Sequence, residues 1–207
     1  MIFGLDPSAV AAFVGAGVLL NLTPGADVMF ATASGMSGGP RVGVAAAFGV
    51  ALGGLWHAIL AAAGLSAFLA AFPLAYDAVR YAGAAYLVFL AWKTWRAGPA
   101  VAGDGVQRLG RAIRRGFVTN ALNPKVALFI LALLPQFTSP ESGPLWAQIL
   151  TLGGIFSVTG FFVTAGYGVA AGVVGAQLSR HARTLNRVSA VVYAALALRL
   201  ILSGGQR

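Results

Sequence analysis

Pro24 and Pro124 lie one hundred positions apart, each deep in an apolar run and each preceded by a helix-capping residue. The first context reads Asn21-Leu22-Thr23-Pro24-Gly25-Ala26-Asp27 and the second Asn120-Ala121-Leu122-Asn123-Pro124-Lys125. A proline inside a helix removes a backbone donor and collides with the carbonyl four residues earlier. Here those carbonyls belong to Leu20 and Asn120. Thr and Asn are good N-caps, and proline favours the first helical position after a cap. Each stretch therefore predicts a helix that stops and restarts. In a bilayer, broken backbone survives only where protein or a water-filled cavity satisfies it. Two such breaks in matching places of two halves point to the substrate site of a transporter.

The bilayer itself is read from composition. Of 207 residues, 58% are hydrophobic and 9% charged, whereas soluble domains carry roughly a quarter charged residues. A spanning helix needs about 20 apolar residues. Six runs qualify, near 8–33, 42–66, 74–95, 113–137, 145–175 and 184–202. The expected fold is an all-α membrane protein of six transmembrane helices, with the first and fourth broken at Pro24 and Pro124. Met1 to Pro7 carries no Lys or Arg, so the first run reads as a retained span and not as a signal peptide. The absence of cysteine excludes disulfides, thiolate metal sites and thiol catalysis. No metal or other cofactor is expected. The net charge of +9 does not imply a nucleic-acid partner, because the basic residues fall between spans and not on one soluble face.

Lys and Arg mark cytoplasmic loops. Lys93, Arg96, Arg108, Arg111, Arg114 and Arg115 lie between the third and fourth runs, opposed only by Asp104. Arg180, Arg183 and Arg187 lie between the fifth and sixth, and Arg41 begins the second. The other side holds Arg80, Arg207 and the acids Asp6, Asp77 and Glu141. Six spans then place both termini outside; a five-span version with one re-entrant run would flip one terminus. Trp92 and Trp95 at the inner end of span three, and Trp146 at the outer start of span five, fit interfacial belts, with core packing as the alternative. Arg199 is expected to snorkel to the outer surface. The basic, glycine-rich stretch 98–111 divides the chain into 1–97 and 112–207. Three spans repeated in tandem must point opposite ways, so the halves form inverted repeats.

Both breaks fall about 12–14 Å from the cytoplasmic side at about 1.5 Å per residue, near the middle of the bilayer. A restarted helix aims free N–H groups and positive dipole at the break, and the interrupted half leaves free carbonyls. A zwitterionic amino acid offers a carboxylate to the first and an ammonium to the second. Asn21, Thr23, Asn120 and Asn123 ring the same place, with Gly25 beside Pro24. Asp27 and Lys125 each cost about 2.5–3.5 kcal/mol at mid-bilayer. On a functional reading, Asp27 engages an ammonium or a coupling proton, and Lys125 anchors a carboxylate or balances Asp27. On a structural reading, the two form an ion pair that fixes helix packing, or Asp27 merely favours a helix N-terminus. His57, in span two, either relays protons or is hydrogen-bonded to a neighbour; His181 lies in a basic loop. The small residues Ala45, Gly49 and Gly53 of span two, and the many glycines of span five, read as close helix packing.

These residues carry a resemblance. Thr23-Pro24-Gly25-Ala26-Asp27, then Gly83-Ala84-Ala85-Tyr86-Leu87, then Gly116 through Lys125 followed by Leu134-Pro135-Gln136-Phe137, together resemble the LysE/RhtB amino-acid exporters over nearly the whole chain. Ala26 departs from the family's usual Pro-Gly-Pro-Asp. The resemblance implies a multi-pass exporter of amino acids in the bacterial inner membrane, driven by the proton gradient. It places Asp27, Asn120, Asn123 and Lys125 on motif positions that serve transport.

The leading expectation is secondary efflux of an amino acid by proton antiport, with Asp27 and His57 as the proton-coupling candidates. Asp27 is the single acid well inside a span, which favours neutral substrates such as homoserine, threonine or leucine. The alternative is a passive small-solute channel or a structural membrane subunit. With five acids, mostly in loops, and two histidines, an intramembrane enzyme is hard to assemble. The partners expected are the amino acid, protons and the lipid bilayer, with a homodimer open.

Overall fold

Where proline falls, this chain bends. The computed structural model describes residues 4–65, 75–96 and 105–174, with scattered helical positions between 187 and 202. The expectations for Arg180, His181, Arg183 and Arg199, and for most of the central linker, lie outside the described residues.

Helix α1 (Pro7–Leu22) starts from Asp6, whose carboxylate accepts from the amides of Ser8 at 2.7 Å and Ala9 at 3.2 Å. Pro7 takes the first position, where no donor is needed. The helix ends at Thr23 and α2 (Ala26–Gly38) resumes from Gly25, with the two axes bent by 53°. Gly39, at φ +83°, turns the chain into α3 (Pro40–Leu60), a left-handed backbone that suits glycine. A π-helical turn, Ala61–Leu65, extends α3. Helix α4 spans Ala75–Arg96.

The second half repeats the device. Helix α5 (Leu109–Ala121) buries Ala112, Gly116 and Asn120, spaced by four, and exposes Arg111, Arg114 and Arg115. Asn123 then caps α6 (Pro124–Leu133) by accepting from the Lys125 amide at 3.0 Å. The bend is again 53°, and a 3₁₀ turn, Leu134–Phe137, completes the segment. Helix α7 runs through Leu145–Val174.

Among the described residues, two uninterrupted helices, Pro40–Gly64 and Leu145–Val173, are long and apolar enough to cross a bilayer, and each bent pair would serve as one more span. Helix α4 occupies the third expected run, and the described positions from 187 to 202 belong to the sixth. The chain is thus all-helical and membrane-type, as expected. Trp92, Trp95 and Trp146 are each more than half exposed, which excludes core packing for all three.

The broken segments run antiparallel. Phe13 meets the rings of Phe129 and Phe137. Further along, the Lys125 ammonium reaches the Leu20 carbonyl, Asp27 meets Asn120, and Arg115 lies over the Phe30 ring. Rising numbers in one segment pair with falling numbers in the other. Helix α3 lies between α5 and α7, and glycine sets its distance to both. A Cβ on Gly49 would overlap the Ile113 carbonyl, and one on Gly116 the Ala46 carbonyl. Gly35 and Gly43 meet Gly168 backbone to backbone. Such contacts are how membrane helices gain packing without a hydrophobic driving force. One apolar cluster, built on Phe13, Leu20, Phe129, Leu133 and Phe156, fills the end beyond the breaks. A smaller one around Phe30, Val42 and Ala112 fills the arginine-bearing end.

Candidate functional site

Each proline frees a carbonyl, and each carbonyl is satisfied from elsewhere in the chain. At the first break, Leu20 O accepts the Thr23 amide at 3.1 Å and the Lys125 ammonium at 3.3 Å. The same ammonium donates to Thr23 O at 3.1 Å. Leu19 O receives the Thr23 hydroxyl at 2.9 Å, and Leu22 O receives the Tyr167 hydroxyl at 3.0 Å. At the second break, Asn120 O accepts the Asn123 amide at 2.8 Å and lies 3.0 Å from His57 Nε2. Buried backbone acceptors must be accounted for in this way, and more so where no water competes.

Gly25 makes room for the lysine. A Cβ on residue 25 would stand 2.9 Å from Lys125 Nζ. The backbone there is extended, φ −145° and ψ −173°, so glycine is required by space and not by conformation.

The acid is held from the opposite half. Asp27 Oδ2 accepts from Asn123 Nδ2 at 2.8 Å and from Asn120 Nδ2 at 3.1 Å. Asp27 and Lys125 keep only 5% and 7% of their surfaces exposed. The ammonium hydrogen-bonds carbonyls and the carboxylate hydrogen-bonds amides, while the two charges attract each other without a direct hydrogen bond between them. Two acceptors remain buried without partners beside them, Asp27 Oδ1 and Asn120 Oδ1.

A cavity opens at this point. Asn21, Asp27, Asn120 and Lys125 line it from the two breaks, and α3 and α7 supply the other walls. Measured to the centres of water-sized spheres it holds about 20 Å³, enough for a water molecule and far from enough for an amino acid. Among the expected site residues, Thr23, Pro24, Gly25, Asn123 and Pro124 shape the breaks without lining this space, and His57 acts on the Asn120 backbone. Asn21 sits on the wall, with its amide 3.5 Å from Phe156 O, the outer limit of a hydrogen bond. Ser157, Gly160 and Thr164 on α7 also line the cavity and escaped the sequence reading. Their signal was a small and polar stripe at i, i+3 and i+7 on an otherwise apolar helix.

Comparison with known proteins agrees with this architecture. The LysE type translocator family model matches residues 18–204. A Vibrio cholerae protein described as an uncharacterized membrane protein is 34% identical over 172 residues, 82% of each chain. The homoserine/homoserine lactone efflux protein of Salmonella typhimurium is 33% identical over 174 residues, covering 82% of this chain and 84% of the relative. The leucine efflux protein of an Enterobacter species is 35% identical over 121 residues, 56% of this chain and 57% of the relative. No solved structure matches the chain. With the family model spanning residues 18–204 and both proline breaks, this chain belongs to the LysE type translocator family.

Proposed function

We propose that this protein exports neutral amino acids across the bacterial inner membrane in exchange for protons, and that the groups around the cavity between the two breaks bind the substrate in a state of the transport cycle in which the breaks part and the cavity, here water-sized, widens. The observation that carries this reading is the pair of buried, unpartnered acceptors, Asp27 Oδ1 and Asn120 Oδ1, beside a cavity that Lys125 also lines. An ammonium donates up to three hydrogen bonds and needs acceptors that the protein has not already used. Lys125 uses two of its three donors on carbonyls and keeps one for a carboxylate. The relatives named for homoserine and for leucine efflux support a neutral amino acid as cargo. The positive-inside reading supports termini on the outer face.

In this reading Asp27 carries the coupling proton, because it is a buried acid whose second oxygen is free. His57, the second proton-coupling candidate, contacts the Asn120 backbone carbonyl and not Asp27, so any exchange of a proton between them would need a bridging water. Substrate ammonium and proton would compete for one carboxylate, which is the condition for obligatory exchange.

Asp27→Asn tests the proposal. An amide at residue 27 keeps an oxygen for Asn120 and Asn123 and removes the charge, so the protein folds. The lost charged hydrogen bond is worth about 1.5–3 kcal/mol, or about a 10- to 150-fold weaker apparent affinity. Efflux from preloaded proteoliposomes should fall accordingly and no longer respond to a pH gradient. Unchanged, gradient-insensitive flux in that variant would return the passive-channel reading.

A further inference from the structure

One wall of the cavity belongs to α7, and it is not apolar. Ser157, 8% exposed, lines the space and donates its hydroxyl to Gly153 O at 2.8 Å. Its proton is committed, so its oxygen is left to act as an acceptor. Thr164, 3% exposed, lines the same wall two turns further on. Thr151, Ser157 and Thr159 each donate to a carbonyl of their own helix; Thr164 makes no such bond among the described residues. A buried hydroxyl in a membrane helix normally takes that local partner, so Thr164 retains both its donor and its acceptor. Gly160 lies between the two hydroxyls and Gly54 faces Ser157 from α3. A Cβ on Gly160 would stand 3.2 Å from the Asn21 amide, and one on Gly54 3.0 Å from Ser157 Oγ. Both glycines leave only a shallow recess.

Resting on the zwitterion site proposed above, we infer that Ser157 and Thr164 form the subsite for the substrate's side chain, and that it recognises a short side chain carrying a hydroxyl. The charged end of the cavity holds the part every amino acid shares. The hydroxyls of α7 read the part that differs. Thr164 accepts or donates as the substrate hydroxyl requires, and Ser157 accepts. A methyl in place of that hydroxyl would leave the pair unpartnered in a water-poor recess, the arrangement by which a polar site rejects an isostere.

The test uses substrate pairs that differ only by hydroxyl against methyl: homoserine with norvaline, and threonine with valine. Efflux of each is measured from proteoliposomes containing the full chain. The wild-type protein should prefer the hydroxyl member of each pair. Ser157→Ala and Thr164→Val should each lower that preference about three- to tenfold, the fold-change expected for one hydrogen bond. Thr164→Ser should retain it. Wild-type fluxes that do not separate within a pair, or variants that slow both members equally, overturn the subsite while leaving the exporter reading standing. A correctly folded wild-type protein that moves none of the four amino acids, nor leucine, overturns both.

Discussion

Replacing Gly25 by alanine probes the first break with one methyl group. The new Cβ would stand 2.9 Å from Lys125 Nζ, 3.4 Å from Cε and 3.6 Å from Cδ. Comfortable contact requires the ammonium to retreat by about half an ångström. It now reaches Thr23 O at 3.1 Å and Leu20 O at 3.3 Å. A retreat of that size takes the longer contact past about 3.5 Å, where it ceases to be a hydrogen bond. The backbone at residue 25 is extended, a region open to any residue, so no conformational strain is added. Leu20 O keeps the Thr23 amide, so the carbonyl is not orphaned and the fold survives. The expected loss is one charged hydrogen bond, about 1.5–3 kcal/mol, together with a displaced ammonium in the proposed carboxylate site. Initial efflux from proteoliposomes should drop about tenfold or more, with a measurable fall in melting temperature in detergent. The decisive measurement is a double-mutant cycle. In a Lys125→Ala background the collision partner is absent, and Gly25→Ala should then leave the melting temperature unchanged. Wild-type transport by Gly25→Ala, or an equal melting penalty whatever occupies residue 125, would refute the steric reasoning.

Gly53→Ala should act on the second break. Its Cβ would lie 2.6 Å from Asn120 Cβ and 2.9 Å from Oδ1, so α3 or α5 must shift, at about 1–3 kcal/mol for overpacking; efflux and melting temperature should both fall, while Gly15→Ala, whose Cβ would meet nothing within 4 Å, leaves both as they are. The start of α1 should depend on pH. The Ser8 hydroxyl, then the Ala9 and Ser8 amides, hold the Asp6 carboxyl below the usual carboxylate range. A lowered folded pKa contributes stability above the unfolded value and loses it as pH falls through the folded value. The first turn should therefore fray below the ordinary carboxylate range, read from the NMR shifts of Ser8 and Ala9; Asp6→Asn should keep the cap and abolish the pH dependence.

The bends were legible because proline acts locally. Pro24 and Pro124 name their own orphaned carbonyls by counting back four residues, and Leu20 and Asn120 are the carbonyls that lysine and histidine reach in the structure. Composition and run length gave the helices for a similar reason, since a bilayer leaves few alternatives. What counting along the chain cannot give is which groups meet across 100 residues. Asn123 reads as a ring member of the site, yet it caps α6 and donates to Asp27 in one geometry. Thr23 bonds its own helix. Depth alone leaves Asp27 and Lys125 open to an ion pair or to separate roles, and it cannot show that the ammonium hydrogen-bonds the backbone carbonyls freed by the first proline. Ser157 and Thr164 were hidden because hydroxyls in membrane helices usually satisfy themselves locally, and the exception at Thr164 shows only once its neighbours are placed.

Each break is closed by groups belonging to the other. Lys125, one residue past the second proline, holds carbonyls of the first. Asp27, three residues past the first proline, is held by asparagines of the second. Changing the bend at either proline therefore removes hydrogen bonds at both, in surroundings where water does not replace them. If the two breaks act as hinges, these shared bonds couple their movement. A passive pore has no use for such linkage, whereas a carrier that must open to one side only when closed to the other depends on it. Because the linkage passes through the same carboxylate and ammonium that the proposed substrate would engage, binding acts directly on the contacts that fix both hinges. A ligand can shift a conformational equilibrium only through contacts that differ between its states, and in the proposed cycle those contacts would be Asp27 and Lys125.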